Sequence, residues 1–174
     1  GFYVSSPTQT AAIAAPVGYY VASSAQTATV AAQIGYYVAT TGASSQTAAQ
    51  AGYFVNAVSA PSQTPADVGY YVSGTAQTVA TAAQLGYYVA TTGASTQTAA
   101  QAGYFVPVAA ASSQIAADYG YFVATTGASS RTPVSAGYFV TSSTATSQEA
   151  AQPGFYVSSP TQTAAIAAPV GYYV

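Results

Sequence analysis

Cysteine, histidine, lysine, methionine and tryptophan are all absent from these 174 residues, and one arginine and three acidic residues carry every charged side chain. Without imidazole or thiol, the usual bases, nucleophiles and transition-metal ligands are missing. No disulfide can staple the fold. The lack of lysine and a formal charge of -2 remove the basic footprint needed to bind nucleic acid or an anionic membrane surface. Ser, Thr or Gln interrupts every apolar stretch, so none reaches the roughly 18 residues that a membrane-spanning helix needs. These gaps point away from an enzyme and imply no cofactor, no metal, no nucleic-acid partner and no membrane insertion.

What the chain does contain is a period. Gly-aromatic-aromatic-Val begins at Gly1, Gly18, Gly35, Gly52, Gly69, Gly86, Gly103, Gly120, Gly137, Gly154 and Gly171, a spacing of 17 residues without a slip. A strict period of this length marks a unit that cannot bury its own apolar face and must stack on its neighbours. Residues 1–174 therefore read as a single array of ten units plus the start of an eleventh. A second period lies above the first, because residues 1–21 return letter for letter at 154–174, making a super-repeat of 153 residues. The chain reads as a window cut from a longer array of near-identical blocks. Asp67, Asp118 and Glu149 fall in three different units, which separates the carboxylates too widely for an acid–base pair.

Ala, Ser, Thr and Gly in this abundance suit a disordered linker, but disordered chains are poor in aromatic and β-branched residues. Here two aromatics and a Val recur in register in every complete unit. With slots counted from the repeated Gly, no proline occupies slots 1–4 or 11–13, so those windows are the best strand candidates and the proline-bearing slots read as turns. Gly42, Gly93 and Gly127 share slot 8 and suit a turn with positive φ. Turn residues recur too closely for helices, and Tyr-Tyr-Val favours strand.

The expected fold is all-β, a parallel β-solenoid of 17-residue coils with stacked Tyr and Phe ladders. Coils would lie ~4.8 Å apart. Its structural ladder would run through Gly18, Tyr19, Tyr20 and Val21, Gly35, Tyr36, Tyr37 and Val38, and Gly86, Tyr87, Tyr88 and Val89. Alternation along a strand assigns slots 17, 2 and 4 to the interior, with slot 2 as the inner aromatic and slot 3 as the outer one. An inner Tyr hydroxyl would then need a partner among the Gln, Ser and Thr of slots 10–13. Charge depletion follows from stacking, since like charges about 5 Å apart repel by roughly 3 kcal/mol at an effective dielectric near 20.

The unit GYYVATTGASSQTAAQA at residues 35–51 resembles the extracellular Cys-rich repeats of the ephrin-receptor-like kind, whose units look like GTYSxxTGATSCTPCPA. Gly35, Tyr37, Gly42, Ala43, Ser45 and Thr47 stand on matching positions, and similar matches recur at residues 86–102 and 120–136. The cysteines of that family would fall on Gln46 and Ala49. Cys-poor, Ala-rich repeats of this kind are similar to those of long bacterial surface proteins. The resemblance implies an extracellular or cell-surface setting and a structural or adhesive role.

The functional expectation is a structural repeat of an extracellular fibre or surface filament, self-assembled from identical chains or blocks. The alternatives are the stalk of a large adhesin or an ice- or carbohydrate-binding solenoid. Because the aromatics occur in every unit, packing explains them better than a sugar strip or dityrosine cross-links. Thr40, Thr41, Thr91 and Thr92 are candidate O-glycan acceptors in solvated turns. N-glycosylation is excluded, since the only Asn, Asn56, precedes Ala-Val and forms no sequon.

Overall fold

In the computed structural model, residues 1–171 are described; of the start of the eleventh unit only Gly171 is among them, the rest lying outside the described residues. The described residues contain no helix and 20 strands of two residues each. The strands fall into ten two-stranded sheets. The chain forms two compact units, one of Gly1–Ala82 with Thr91–Thr96 and the other of Ala83–Ala90 with Gln97–Val174.

Every sheet is a hairpin made inside one repeat, slots 2 and 3 pairing with slots 14 and 13 in antiparallel register. In the first compact unit Tyr36 faces Ala48 and Tyr37 faces Thr47; in the second Tyr87 faces Ala99 and Tyr88 faces Thr98. The expected parallel, in-register ladder between coils is therefore corrected. The physical reason is the brevity of the strands. Glycines of slot 1 have φ between 79 and 93° at every repeat from Gly18 onward, a region closed to extended L-residues, so the chain bends before a longer strand can form.

Prolines at slot 14 sit inside two of these strands, at Pro65 and Pro133. In both hairpins the slot-15 amide donates to the slot-1 carbonyl, Ala66 to Gly52 and Val134 to Gly120, each at 2.9 Å. Alternation of the antiparallel ladder then aims the slot-14 nitrogen away from its partner strand. A missing N–H costs nothing there.

The core consists of three slots. Slot 4 supplies Val21, Val38, Val55, Val72, Val89, Val106, Val123 and Val140, slot 15 supplies the alanines from Ala15 to Ala117 with Val134, and all are buried. Glycines of slot 1 from Gly18 to Gly120 complete it. Side chains this small let backbones approach, so buried peptide groups must be satisfied by one another.

They are, through bonds at constant sequence offsets. In the first compact unit Gly18 N donates to Val38 O at 2.8 Å, Val21 N to Ala43 O at 3.0 Å and Gly42 N to Ala15 O at 2.7 Å. In the second, Gly86 N donates to Val106 O at 2.9 Å, Val89 N to Ala111 O at 2.9 Å and Gly127 N to Ala100 O at 2.7 Å. Within each compact unit these bonds join a repeat to the one after it through slots 1 and 4, and to the one two places after it through slot 15.

Candidate functional site

The feature the repeats build in common is a joint, where the turn at slots 8 and 9 of one repeat seats on the hairpin two repeats earlier. A Cβ added to Gly18 would strike the carbonyl of Ser59, one on Gly35 that of Ala76, and one on Gly86 that of Gly127. Glycine at slot 1 is thus required twice, by φ and by this close approach.

Slot 8 completes the joint in a left-handed conformation. Gly42, Gly93 and Gly127 have φ of 70, 69 and 71°, as their sequence pattern suggested. Ala25, Ser59, Ala76 and Ala110 hold φ of 55 to 60° at the same slot, where a Cβ costs roughly 1–2 kcal/mol. Nothing in the residue types at these four positions announces a left-handed turn; only their slot does.

Of the ladder residues, Gly18, Gly35, Gly86, Val21, Val38 and Val89 are buried, while Tyr19, Tyr20, Tyr36, Tyr37, Tyr87 and Tyr88 are all half-buried. The division into an inner slot 2 and an outer slot 3 is overturned. No described slot-3 aromatic is exposed, whereas Phe2 and Tyr70 at slot 2 reach 58% and 40% exposure. Slot 17 is also misassigned to the interior: Val17, Ile34 and Leu85 are 44–54% exposed. Alternation fails because a two-residue strand bends at both ends, turning slots 1 and 4 inward together. The slot-2 rings lie over turns: the Tyr53 hydroxyl oxygen is 3.7 Å from where a Cβ on Gly93 would stand, and that of Tyr87 is 3.8 Å from the same point on Gly127.

Tyr hydroxyls do not take the Gln, Ser and Thr partners expected of them. No polar side-chain atom among the described residues is buried without a partner, and the half-buried rings leave their hydroxyls to solvent. Glutamine of slot 12 instead accepts from the slot-16 amide of the preceding repeat: Gln33 N to Gln46 Oε1 at 2.9 Å and Gln50 N to Gln63 Oε1 at 2.8 Å in the first compact unit, Gln84 N to Gln97 Oε1 and Gln101 N to Gln114 Oε1 at 2.8 Å in the second. A second turn type carries its glutamine at slot 9 and closes on itself, with Ser5 N donating to Gln9 Oε1 at 3.0 Å.

Arg131 occupies slot 12 in the eighth repeat. Its Nη1 donates to Ala117 O at 2.8 Å and to Asp118 Oδ2 at 3.2 Å, and its guanidinium carbon lies 3.8 Å from the Tyr121 ring centroid. Ala117 O is the acceptor that a slot-8 amide would fill elsewhere. Here that amide belongs to Thr144, which donates to Ser142 Oγ at 3.1 Å instead. β-Branched Thr is poorly suited to the left-handed conformation, so the arginine takes over the bond. Glu149 accepts from Thr141 Oγ1 at 3.4 Å, and Asp67 is exposed.

Thr40, Thr41, Thr91 and Thr92 are exposed, each pair immediately before a left-handed glycine. The recesses of the surface are shallow and lined by Ala, Ser, Val, Gly and aromatic side chains; among the described residues no three acidic, His or Cys side chains gather. No protein-family model matches the chain, and no curated protein matches it.

Proposed function

We propose that this chain is a structural segment of an extracellular fibre or cell-surface filament, built as a β-solenoid of hairpin coils and partnered by identical chains or blocks. The observation that carries the reading is the joint, whose three backbone bonds recur at the same offsets from repeat to repeat. A bond scheme with a fixed translation has no natural stopping point, and stacked repeats propagate by nearest-neighbour interfaces. The chemistry of the surface fits a passive role: almost no charge, small turns, and aromatic rings spread over every repeat rather than gathered in one patch.

The exposed threonine pairs fit O-linked sugar, a modification in keeping with an outer surface. Immunogold electron microscopy of source cells with antibodies to this chain tests the reading. Label along filaments outside the cell is expected. Label confined to the cytoplasm overturns it.

A further inference from the structure

Nothing inside the fold asks slot 17 to be apolar. Val68, Leu85 and Tyr119 stand at the second position of four-residue turns, closed by Tyr70 N to Asp67 O at 3.0 Å, Tyr87 N to Gln84 O at 3.0 Å and Tyr121 N to Asp118 O at 3.2 Å. Gly69, Gly86 and Gly120 follow with φ of 81 to 84°, which suits the third position of a type II turn, where the second position favours proline. Such a corner faces water and gains nothing locally from an aliphatic side chain.

Yet slot 17 is Val, Ile, Leu, Ala, Tyr or Pro in all ten repeats, and never Ser, Thr, Gln or a charged residue. Val68, Leu85 and Tyr119 are 45–54% exposed although at least three complete repeats precede and follow each of them in the sequence, so no missing neighbour at a chain end uncovers them. Slot 13 is exposed as well, but it varies among Ile, Val, Thr and Glu. Slot 16, next to slot 17, is mostly Gln with Asp67 and Asp118. In each compact unit an apolar position is thus repeated beside a polar one, the make-up of an interface core and its rim.

We infer that slot 17 is a lateral contact, by which one copy of this chain lies against the slot-17 residues of a second copy. A stable pair of standard size buries about 800 Å² on each partner. No single turn corner supplies that, so the partner must meet several corners at once and must repeat with the same pitch. A second copy does so by construction. Charge points the same way. Copies with one Arg and three acidic residues barely repel, whereas an anionic lipid surface would meet Asp67 and Asp118 beside the corners and a lone guanidinium already bonded to Asp118. A contact of one surface with itself is isologous and closes at the dimer. The inference deepens the fibre reading and rests on it for bringing copies side by side.

Sedimentation velocity of the full chain across a hundredfold concentration range tests it, with conversion of monomer to dimer expected. The triple variant Val68→Ser, Leu85→Ser, Tyr119→Ser should weaken that pairing at least tenfold while its melting temperature in dilute solution stays that of wild type, because none of the three side chains is part of the core. The control Val58→Ser, Val79→Ser, Val108→Ser removes valines that are 58–66% exposed from other slots, and should pair like wild type. A wild-type chain that stays monomeric overturns the contact, as does a slot-17 variant that pairs unchanged or a control that weakens as much. A lowered melting temperature of the dilute slot-17 variant would show that these residues brace the fold itself, and overturns it too. Wild-type chain that floats with phosphatidylcholine vesicles while the slot-17 variant does not would assign the surface to lipid and remove the second copy as its occupant. Immunogold labelling keeps the two readings apart: labelled filaments outside the cell with a monomeric chain sink the contact alone, and a slot-17 dimer with label confined to the cytoplasm sinks the fibre alone.

Discussion

Arg131 reaches back to Asp118 of the preceding repeat at 3.2 Å, with its guanidinium carbon over the ring of Tyr121 at 3.8 Å. It supplies the donor of a missing slot-8 amide, while the Asp118 amide, whose counterparts elsewhere donate to a slot-12 glutamine, donates to the Ser143 carbonyl at 2.8 Å. The ion pair itself is open to water, with the two side chains 31% and 69% exposed, so it contributes at most about 1 kcal/mol. The bond to Ala117 O matters more. Arg131→Ala should cost about 1–2 kcal/mol by stranding that carbonyl, whereas Asp118→Asn should stay within about 1 kcal/mol. Chemical denaturation of both variants checks the order.

Glycines of slot 1 should differ sharply by place. Gly86→Ala drives a Cβ into the Gly127 carbonyl and should cost upward of about 3 kcal/mol, since neither backbone can yield without breaking joint bonds. Gly137→Ala meets no atom among the described residues and should cost only the roughly 1–2 kcal/mol of an L-residue at positive φ. Equal losses of thermal stability would refute the joint as described.

Slot 8 predicts gains. Ala76→Gly and Ala110→Gly relieve left-handed alanines at φ 55°, and each should stabilise by about 1 kcal/mol. Gly93→Ala should lose a similar amount, because its added Cβ finds only ordinary contacts with Tyr53 and Pro65. Raised melting temperatures for the first two and a lowered one for the third are the expected pattern.

How much of this was legible beforehand depends on the slot. Val at slot 4 stood out as interior, and Val89 is 2% exposed; the glycine turn at slot 8 was readable from Gly42, Gly93 and Gly127. The left-handed alanines at the same slot were not, because Ala carries no turn signal of its own. Slot 15 carries no distinctive signal, although Ala fills it in nine of ten repeats, because alanine is common at so many other slots that its regularity there is camouflaged. Slot 17 looked interior because it is mostly apolar, and a strand rule extended past the end of a two-residue strand placed it wrongly. The Gln, Ser and Thr of slots 10–13 look like partners for tyrosine hydroxyls, but the real partner of a slot-12 glutamine, a backbone amide 13 residues earlier, leaves no trace in composition.

Val89→Asp should cost several kcal/mol by placing a charge in the slot-4 column without a partner. Exposed Ser95→Asp should shift stability by no more than about 0.5 kcal/mol. Comparing their melting temperatures checks that the buried columns, and not the turns, hold the array together.

Trypsin has one basic residue to attack, Arg131, and that side chain is bonded and stacked while Thr132 and Pro133 form a strand. Cleavage of the folded chain should wait on local opening. Intact protein after prolonged digestion is expected, and rapid conversion into fragments 1–131 and 132–174 would show that this hairpin opens freely.

A core of Gly, Val and Ala columns also sets how the protein responds to temperature. Unfolding would expose much peptide and little hydrocarbon, and the two act on heat capacity with opposite sign. The heat-capacity increment per residue should therefore fall below the usual ~12–15 cal/mol/K, giving a flatter stability curve. Material built this way loses little strength on cooling, because so little of its cohesion comes from the hydrophobic term that fades in the cold.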